Sequence, residues 1–285
     1  MNFNKNGIEA FHDGLFIPEV GGWAENKYEI LQHYNHMFAT GMKNRFQNRV
    51  YIDLFSSAGI AKIRDTNRFV LTSSLIALNI PDPYNQYIFC DIDEKCITTL
   101  SQRVEKYFPG TTASYLIGDC NEKVGEILSL LPKASKSNTV LTFCVIDPYN
   151  LGIKFSTIKE LNKYRMDFLV LLSWMDANRN EFRYVEYDND RIDDFLDDKG
   201  WRNRWLKLKK EKYDFRKFHA EEFVQRMMTL GYPNTALETL FPIRSNDKGL
   251  FLYHLAFFSK SEKGYDFWDK ARFGGPKQTS LNFED

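Results

Sequence analysis

The sequence has no surplus of either charge, since 38 lysines and arginines balance 38 aspartates and glutamates. A general nucleic-acid binder usually carries a basic surplus, so any such surface here would have to be local. No apolar run approaches the roughly 20 residues that a membrane-spanning helix needs. The first 14 residues lack the apolar core of a signal peptide. We therefore expect a cytoplasmic protein with no membrane partner.

Signals for metal and dinucleotide sites are also missing. The four cysteines form no C-x-x-C pair, so we expect small buried side chains and not zinc ligands. His33 and His36 lie three residues apart on a predicted helix without a nearby carboxylate cluster, and we expect no metal site there. The sequence contains no G-x-G-x-x-G motif, which argues against a dinucleotide enzyme.

Short apolar runs alternate with segments of helical periodicity over the first 175 residues, after an opening amphipathic helix at 24–39. The predicted strands are 49–55, 86–91, 113–118, 139–147 and 167–173. The predicted helices between them are 71–79, 94–107, 121–131 and 156–164. Strands that alternate with helices predict βαβ units and a parallel sheet with right-handed crossovers.

The alternation stops near residue 175, and the chain then divides into three parts. Residues 176–217 are charged and lack a clear period, 218–230 predicts a helix, and 236–243 with 251–259 predicts a hairpin. A hairpin after five βα units gives a seven-stranded, mostly parallel sheet with one antiparallel strand. We expect a single α/β domain over 1–285, and its predicted parts are a helical segment at 20–45, a βα core at 49–175, a charged insertion at 176–217, and a last helix with the hairpin at 218–270.

Aspartates stand at or near the ends of the first four predicted strands: Asp53, Asp91, Asp119 and Asp147. In an open parallel sheet, ligands bind beyond the carboxyl ends of the strands. An acidic residue after the second strand can accept hydrogen bonds from both hydroxyls of a ribose. Each aspartate could instead cap the helix that follows it. That alternative is the better one for Asp93, whereas a ligand site explains the whole set better.

Several motifs in this order resemble one family, the three-Cys-motif partner (TcmP) proteins, within the class I S-adenosylmethionine (SAM)-dependent methyltransferases. They are W-x-x-x-K-Y-E-I-L-x-x-Y from Trp23, YIDLFSSAG, FCDID, GDCN, IDPYN, ANRN and LYHLAFFSK. The resemblance covers about residues 20–270. It implies a Rossmann-like methyltransferase fold with an insertion after strand 5.

The resemblance also implies SAM as cofactor and a set of residues that bind it. The set comprises Lys27, Asp53, Phe55, Ser56, Ser57, Ala58, Gly59, Asp91, Ile92, Asp93, Asp119 and Cys120. Asp53 and the 55–59 turn would hold the methionine part, Asp91 the ribose and Asp119 the adenine. Lys27 would approach the cofactor carboxylate, although a surface lysine is the alternative. Ser57 departs from the general D-L-F-A-G-x-G form of the methyltransferase motif, which has glycine at this position.

The catalytic residues implied by resemblance are Asp147, Pro148 and Tyr149, which are similar to the D-P-P-Y box of amino-group methyltransferases. In that chemistry the acidic residue orients an exocyclic amine and the aromatic ring stacks on the base. The second proline of the box is missing, and a simple turn after the strand is an equal alternative.

The family resemblance implies a partner with a three-cysteine motif, similar to radical-SAM iron–sulfur enzymes. Two functions from different classes therefore remain: an amino-group methyltransferase, perhaps on nucleic acid, and a non-catalytic Rossmann-like partner subunit. Residues 199–217 are basic and contain Trp201 and Trp205, a composition that could bind phosphates and stack on bases. Alternatively, this block and the acidic block at 186–198 neutralise each other.

Overall fold

A computed structural model describes residues 9–148, 150–173, 180–186, 189–233, 239–245, 249 and 251–273. Its helices are α1 Ala24–Met42, α2 Ser73–Leu78, α3 Glu94–Tyr107, α4 Cys120–Leu130, α5 Phe155–Leu161, α6 Glu181–Glu186, α7 Arg191–Leu196, α8 Trp201–Lys209, α9 Phe215–Thr229 and α10 Glu262–Phe273. Its strands are β1 Glu19–Val20, β2 Asn48–Asp53, β3 Ile60–Ile63, β4 Phe69–Leu71, β5 Gln86–Asp91, β6 Ala113–Ile117, β7 Val140–Ile146, β8 Met166–Leu172, β9 Phe241–Arg244 and β10 Phe251–Phe258.

Seven of the strands form one sheet in the order β6-β5-β2-β7-β8-β10-β9. The first five of these run parallel, and β10 pairs antiparallel with both β8 and β9. This arrangement confirms the predicted Rossmann-like α/β fold, a seven-stranded, mostly parallel sheet with its single antiparallel strand in a C-terminal hairpin. The strand order reverses between β2 and β7. After β2 the chain adds β5 and then β6 on one side of it, and it then adds β7, β8 and the hairpin on the other side.

The central strands are buried on both faces, which explains their continuous apolar sequences. Val50 and Ile52 belong to a core that contains side chains of α4, α5 and α7–α9. Tyr51, between them on β2, belongs to the opposite core, which contains side chains of α1, α2, α3 and α10. Alternate residues of each strand therefore fix the sheet between two layers of helices.

A three-stranded sheet, β1-β3-β4, was not predicted. Strand β2 is followed by a turn and the β3–β4 hairpin before the short helix α2 begins at Ser73. Gly59, which directly precedes β3, has φ +89°. A Cβ at this position would lie 2.7 Å from Leu75 Cγ. Glycine is required at this position both for its conformation and for the close contact with α2.

Among its described residues, the charged segment contains helices α6, α7 and α8 and the start of α9, where no periodicity was expected. Trp201 and Trp205 are fully buried, and their indole N–H groups donate to Asp193 Oδ1 at 2.7 Å and Glu181 Oε1 at 2.9 Å. The hypothesis that these two rings stack on bases is therefore wrong, because burial and both hydrogen bonds hold them inside the protein.

Ion pairs within the same segment support the alternative in which acidic and basic residues neutralise each other. Arg204 Nη2 lies 2.6 Å from Asp198 Oδ2, and Arg202 also pairs with Asp193. All four cysteines are free and buried, as expected. Within the described ranges, no helix is long and apolar enough to cross a membrane, and no cluster of three potential metal ligands occurs.

Candidate active site

A cavity of about 800 Å³ lies at the carboxyl ends of the parallel strands. Residues that follow β2, β5, β6 and β7 line it, together with residues of α1 and β10. It therefore spans the point between β2 and β7 where the strand order reverses, which is where open α/β sheets bind ligands. Its volume falls within the range of small-molecule sites.

The turn after β2 forms one wall and is bonded to the next strand. The backbone N–H of Ser57 donates to Asp91 Oδ2 at 2.8 Å, and both the N–H and the hydroxyl of Ser56 donate to the Cys90 carbonyl. Ser57 has φ +55°, a conformation that glycine adopts without strain. The turn at Ser57 thus has the left-handed conformation that a glycine at this position would favour.

Asp53 lies beneath this wall and has no solvent exposure. Its carboxylate accepts hydrogen bonds from the Tyr51 hydroxyl and the Phe55 backbone N–H, each at 3.3 Å. The pKa of Asp53 is raised to about 7. Burial is the main cause and the nearby Asp147 carboxylate adds to it, whereas a hydrogen bond from the Ser73 hydroxyl acts in the opposite direction. Because burial disfavours the charged form of Asp53, a cation placed beside it would strongly stabilise that form.

The segment after β5 presents an acceptor and an apolar surface to the cavity. Asp91 Oδ1 accepts the backbone N–H of Asp93 at 3.0 Å, while its Oδ2 holds Ser57. A carboxylate has about four acceptor positions, so Asp91 keeps capacity for two hydroxyl donors. Ile92 lines the cavity with 74% of its surface exposed. Asp93 instead caps α3 by accepting from the Lys95 backbone at 2.8 Å.

Asp119 and Cys120 follow β6 and line the adjoining wall. Asp119 also caps its helix, because its Oδ1 accepts the backbone N–H and the side-chain amide of Asn121, each at 2.8 Å. Among the described residues no donor bonds its second oxygen, Oδ2. The capping role and a ligand-binding role are therefore compatible at this residue.

A buried ion pair closes the side of the cavity near β7. Lys27 Nζ, from α1, lies 2.5 Å from Asp147 Oδ2. The ammonium group also lies 4.6 Å from the ring centre of Tyr28 and 5.3 Å from that of Trp23. Burial opposes the charged form of Lys27, but the Asp147 carboxylate and the Tyr28 and Tyr253 side chains together outweigh it, and they raise the lysine pKa above its ordinary value. Lys27 is therefore not a surface lysine.

The structure brings most of the predicted residues to one cavity, and the other described ones do not line it. The predicted residues that line it are Lys27, Phe55, Ser57, Asp91, Ile92, Asp119, Cys120, Asp147 and Pro148. Those outside the lining are Asp53, Ser56, Ala58, Gly59 and Asp93. Tyr149 lies outside the described residues.

Several further lining residues were not predicted, among them Trp23, Ser73, Arg191 and Tyr253. Trp23 and Tyr253 stand in the N-terminal and late motifs quoted above, and they pack edge to face with ring centres 5.2 Å apart. Ser73 reaches the site because the β3–β4 hairpin delays the helix that follows the turn. Arg191 arrives on α7, and nothing in its sequence context signals this position.

No model of a known protein family matches the sequence, and a search of curated proteins found no match. Among solved structures, the chain is similar to a candidate O-methyltransferase from Klebsiella pneumoniae, with 12% identity, 87% of this chain and 84% of that chain covered, and a TM-score of 0.43. It is also similar to magnesium protoporphyrin IX methyltransferase from Synechocystis with bound SAM, with 7% identity, coverage of 87% and 88%, and a TM-score of 0.41. A candidate methylase from Haemophilus influenzae shows 10% identity, coverage of 80% and 88%, and a TM-score of 0.34.

Proposed function

We propose that this protein is a SAM-dependent methyltransferase. The observation that carries the proposal is the position of Asp91, whose carboxylate holds the Ser57 turn and faces a cavity at the switch point of the sheet. An acidic residue after the second strand of a Rossmann-like sheet is the usual partner of a ribose diol.

The residues around the cavity fit the parts of SAM in chemical type. The carboxylate of Asp91 would accept from the ribose hydroxyls, and the exposed side chain of Ile92 would pack on the adenine. Asp119, with its unbonded oxygen, would accept from the adenine amino group. Asp53 lies where its negative charge would stabilise the cationic part of the ligand. When bound, SAM supplies an activated methyl group.

For the acceptor we propose an amino group, oriented by Asp147 next to Pro148 and Tyr149. Asp147 Oδ2 is held by Lys27, so the geometry of the carboxylate is fixed before an acceptor arrives. Positioning of a weak nucleophile against an activated methyl group accounts for much of the rate enhancement in such reactions. The same ion pair supports a second candidate, a partner subunit that binds SAM without transferring its methyl group, because it occupies one oxygen of the catalytic carboxylate.

The proposal further assigns the chain to the three-Cys-motif partner family, with a radical-SAM-like iron–sulfur protein as its partner. Its support is the ordered set of sequence motifs. A nucleic-acid acceptor is also proposed, and its support is the resemblance of Asp147-Pro148-Tyr149 to the D-P-P-Y box. Any contribution of 199–217 to such an interface would come from its exposed lysines, because both tryptophans are buried.

Thermal melts with SAM and its demethylated product test the proposal. Ligand at one hundred times its dissociation constant should add about 2.7 kcal/mol to the free energy of unfolding. Asp91→Ala should abolish this shift. Asp93→Ala is the matched control: it should lower the unliganded stability by about 1 kcal/mol through loss of the α3 cap and retain the ligand shift. A wild-type protein that shows no shift at millimolar ligand would refute SAM binding.

Transfer of labelled methyl groups from SAM separates the two candidates. The full chain would be incubated with RNA, DNA and protein fractions of the cell, with and without the proposed partner. Label in an amino group that is lost in Asp147→Asn, while the SAM melt shift is retained, supports the methyltransferase. A clear SAM shift without label in any fraction supports the binding subunit.

A further inference from the structure

A second cavity, of about 390 Å³, lies at the opposite edge of the sheet from the candidate active site. Leu141 near the start of β7 and Met166 at the start of β8 line it, together with Met42 at the end of α1. A seven-residue strand spans about 20 Å, so the length of β7 separates the two cavities. A ligand here would not contact the proposed methyl donor.

Four cationic side chains line this second cavity: Arg45, Arg165, Lys260 and Lys263. None of them forms an ion pair within 4 Å with a carboxylate of the described residues, whereas many lysines and arginines elsewhere do. Arg165 lies 4.9 Å from the ring centre of Phe46, and Lys260 lies at the same distance from that of Tyr232. Partial burial lowers the pKa of Lys260. Arg45, Arg165 and Lys260 are exposed and Lys263 is half-buried. Cations that have no carboxylate partner among the described residues and that line one cavity attract an anionic ligand.

The first turn of α10 adds to the positive character of this wall. Ser261 precedes the helix, Lys263 and Gly264 belong to its first turn, and all three line the cavity. The N-terminus of a 12-residue helix carries a partial positive charge. The N–H of Gly264 already donates to the Ser261 carbonyl and that of Ser261 to the Ser259 hydroxyl, and Glu262 in the first turn carries a negative charge, so the dipole is the contribution of this end. Such an end strengthens a site for a phosphate that the cations already favour.

One carboxylate, Asp167, also lines the cavity and must be reconciled with an anionic ligand. It is buried, and burial raises its pKa to about 7, against lowering by the Ser259 hydroxyl and Arg165. Its neutral form is therefore substantially populated near pH 7, and in that form it can donate a hydrogen bond to a phosphate oxygen.

Aromatic side chains form much of the remaining wall. Phe38, Phe46 and Phe267 line the cavity beside the four cations. Phe38 is buried in the core, whereas Phe46 and Phe267 are half-buried and lie next to two of the cations, Arg165 and Lys263. A phosphate ester with a ring or an apolar group would contact the two half-buried rings, whereas inorganic phosphate would not. The volume lies at the lower end of the range for small-molecule sites, which fits a ligand the size of a nucleotide.

We propose that this cavity binds a phosphate monoester that carries a ring or apolar group, with the phosphate on Arg45, Arg165, Lys260 and Lys263. The geometry that supports it is the meeting of four unpaired cations, a helix N-terminus and two half-buried aromatic rings in one cavity. This site is independent of the proposed methyl transfer, because it lies at the other edge of the sheet.

Calorimetric titration of the full chain with uridine 5′-monophosphate tests the proposal. We expect one site per chain, no heat with uridine, and at least tenfold weaker binding of inorganic phosphate. The double variant Arg45→Gln/Lys263→Gln should weaken the nucleotide at least tenfold. The matched control Lys207→Gln/Lys210→Gln removes two exposed cations on and beside α8, and should bind as the wild type does.

Three outcomes would overturn the proposal. Equal binding of inorganic phosphate and the nucleotide would remove the role of the rings. Equal weakening in both double variants would indicate unspecific attraction to surface charge. Loss of nucleotide binding in Asp91→Ala would place the ligand in the first cavity. Thermal melts establish that each variant is folded. If the wild type binds the nucleotide but SAM does not raise its melting temperature, only the proposed methyltransferase function is contradicted.

Discussion

Protonation of Asp53 should couple SAM binding to pH. The carboxyl is fully buried and its pKa is raised to about 7, so near neutrality about half of the unliganded protein carries a neutral Asp53. A ligand with a positive charge nearby would favour the ionised form. Binding should therefore release a proton, and SAM affinity should rise as the pH rises towards 7.

The size of the effect follows from Coulomb's law. A unit positive charge about 6 Å from the carboxylate, at an effective dielectric constant of about 20, contributes roughly 2.8 kcal/mol, or about two pKa units. The pKa of Asp53 would then fall from about 7 to about 5 on binding. At pH 6 the protein should release about 0.8 proton per SAM bound, and the affinity should increase up to about a hundredfold between pH 4 and pH 8.

Calorimetry at pH 6 in two buffers of different ionisation enthalpy measures this proton release directly. Asp53→Asn keeps the size of the side chain and removes its titration, so this variant should show neither the release nor the pH dependence. A wild-type affinity that does not change between pH 5 and pH 7.5 would refute the reasoning. So would an Asn variant that retains the full dependence.

The same raised pKa sets the pH dependence of the unliganded protein. Between the unfolded pKa of about 3.9 and the folded value of about 7, the native state binds more protons than the unfolded state. The free energy of unfolding should therefore fall as the pH rises through this window, by up to about 4 kcal/mol from Asp53. Asp167 has a similarly raised pKa, so the difference between wild type and Asp53→Asn isolates the contribution of Asp53.

Three further predictions concern charged residues. Asp147→Ala should lower the free energy of unfolding by about 3–5 kcal/mol, because its lysine partner stays buried and unpaired; adding Lys27→Met should recover much of this loss in urea denaturation. If 199–217 binds single-stranded nucleic acid, Lys207→Gln/Lys210→Gln should reduce the slope of log affinity against log salt by about 1.4 in filter binding, and an unchanged slope would exclude these lysines. Asp13→Ala should also cost about 3–5 kcal/mol in urea denaturation, because it leaves the buried guanidinium that it pairs with at 2.8 Å unpaired, and a cost below 1 kcal/mol would contradict this.

The sheet and the edge that carries the site could be predicted because buried parallel strands have continuous apolar sequences. Once strands 49–55 and 86–91 are recognised, the residues that follow them must meet at one edge. This is why the sequence alone places Asp91 and Ser57 at the same edge, and in the structure a hydrogen bond of 2.8 Å joins them. The sequence pattern does not give the partner of each carboxylate, which depends on packing between distant helices and strands.

The ion pair between Lys27 and Asp147 illustrates that limit, since 120 residues separate the two. The motif position of Lys27 indicated the site but not the contact. Helices α6 and α7 were missed for a different reason. Each has six residues, fewer than two turns, so a 3.6-residue period cannot become visible. They are stabilised by packing of a few buried side chains such as Phe195, and not by a long amphipathic face.

The turn that holds Ser57 shows how a non-glycine residue can be kept in a left-handed conformation by its surroundings. A non-glycine residue at positive φ costs on the order of 1 kcal/mol or more, and it persists only where its surroundings fix it. Here Asp91 accepts the Ser57 N–H, and the buried Arg103 donates to the Ala58 carbonyl while it pairs with Asp13. Three separate parts of the chain thus hold the turn from β5, from α3 and from the N-terminal segment. Serine at position 57, in place of the glycine of the general motif, is therefore compatible with the backbone of the cavity wall. SAM binding should then depend on the side chains in the cavity and not on this one difference.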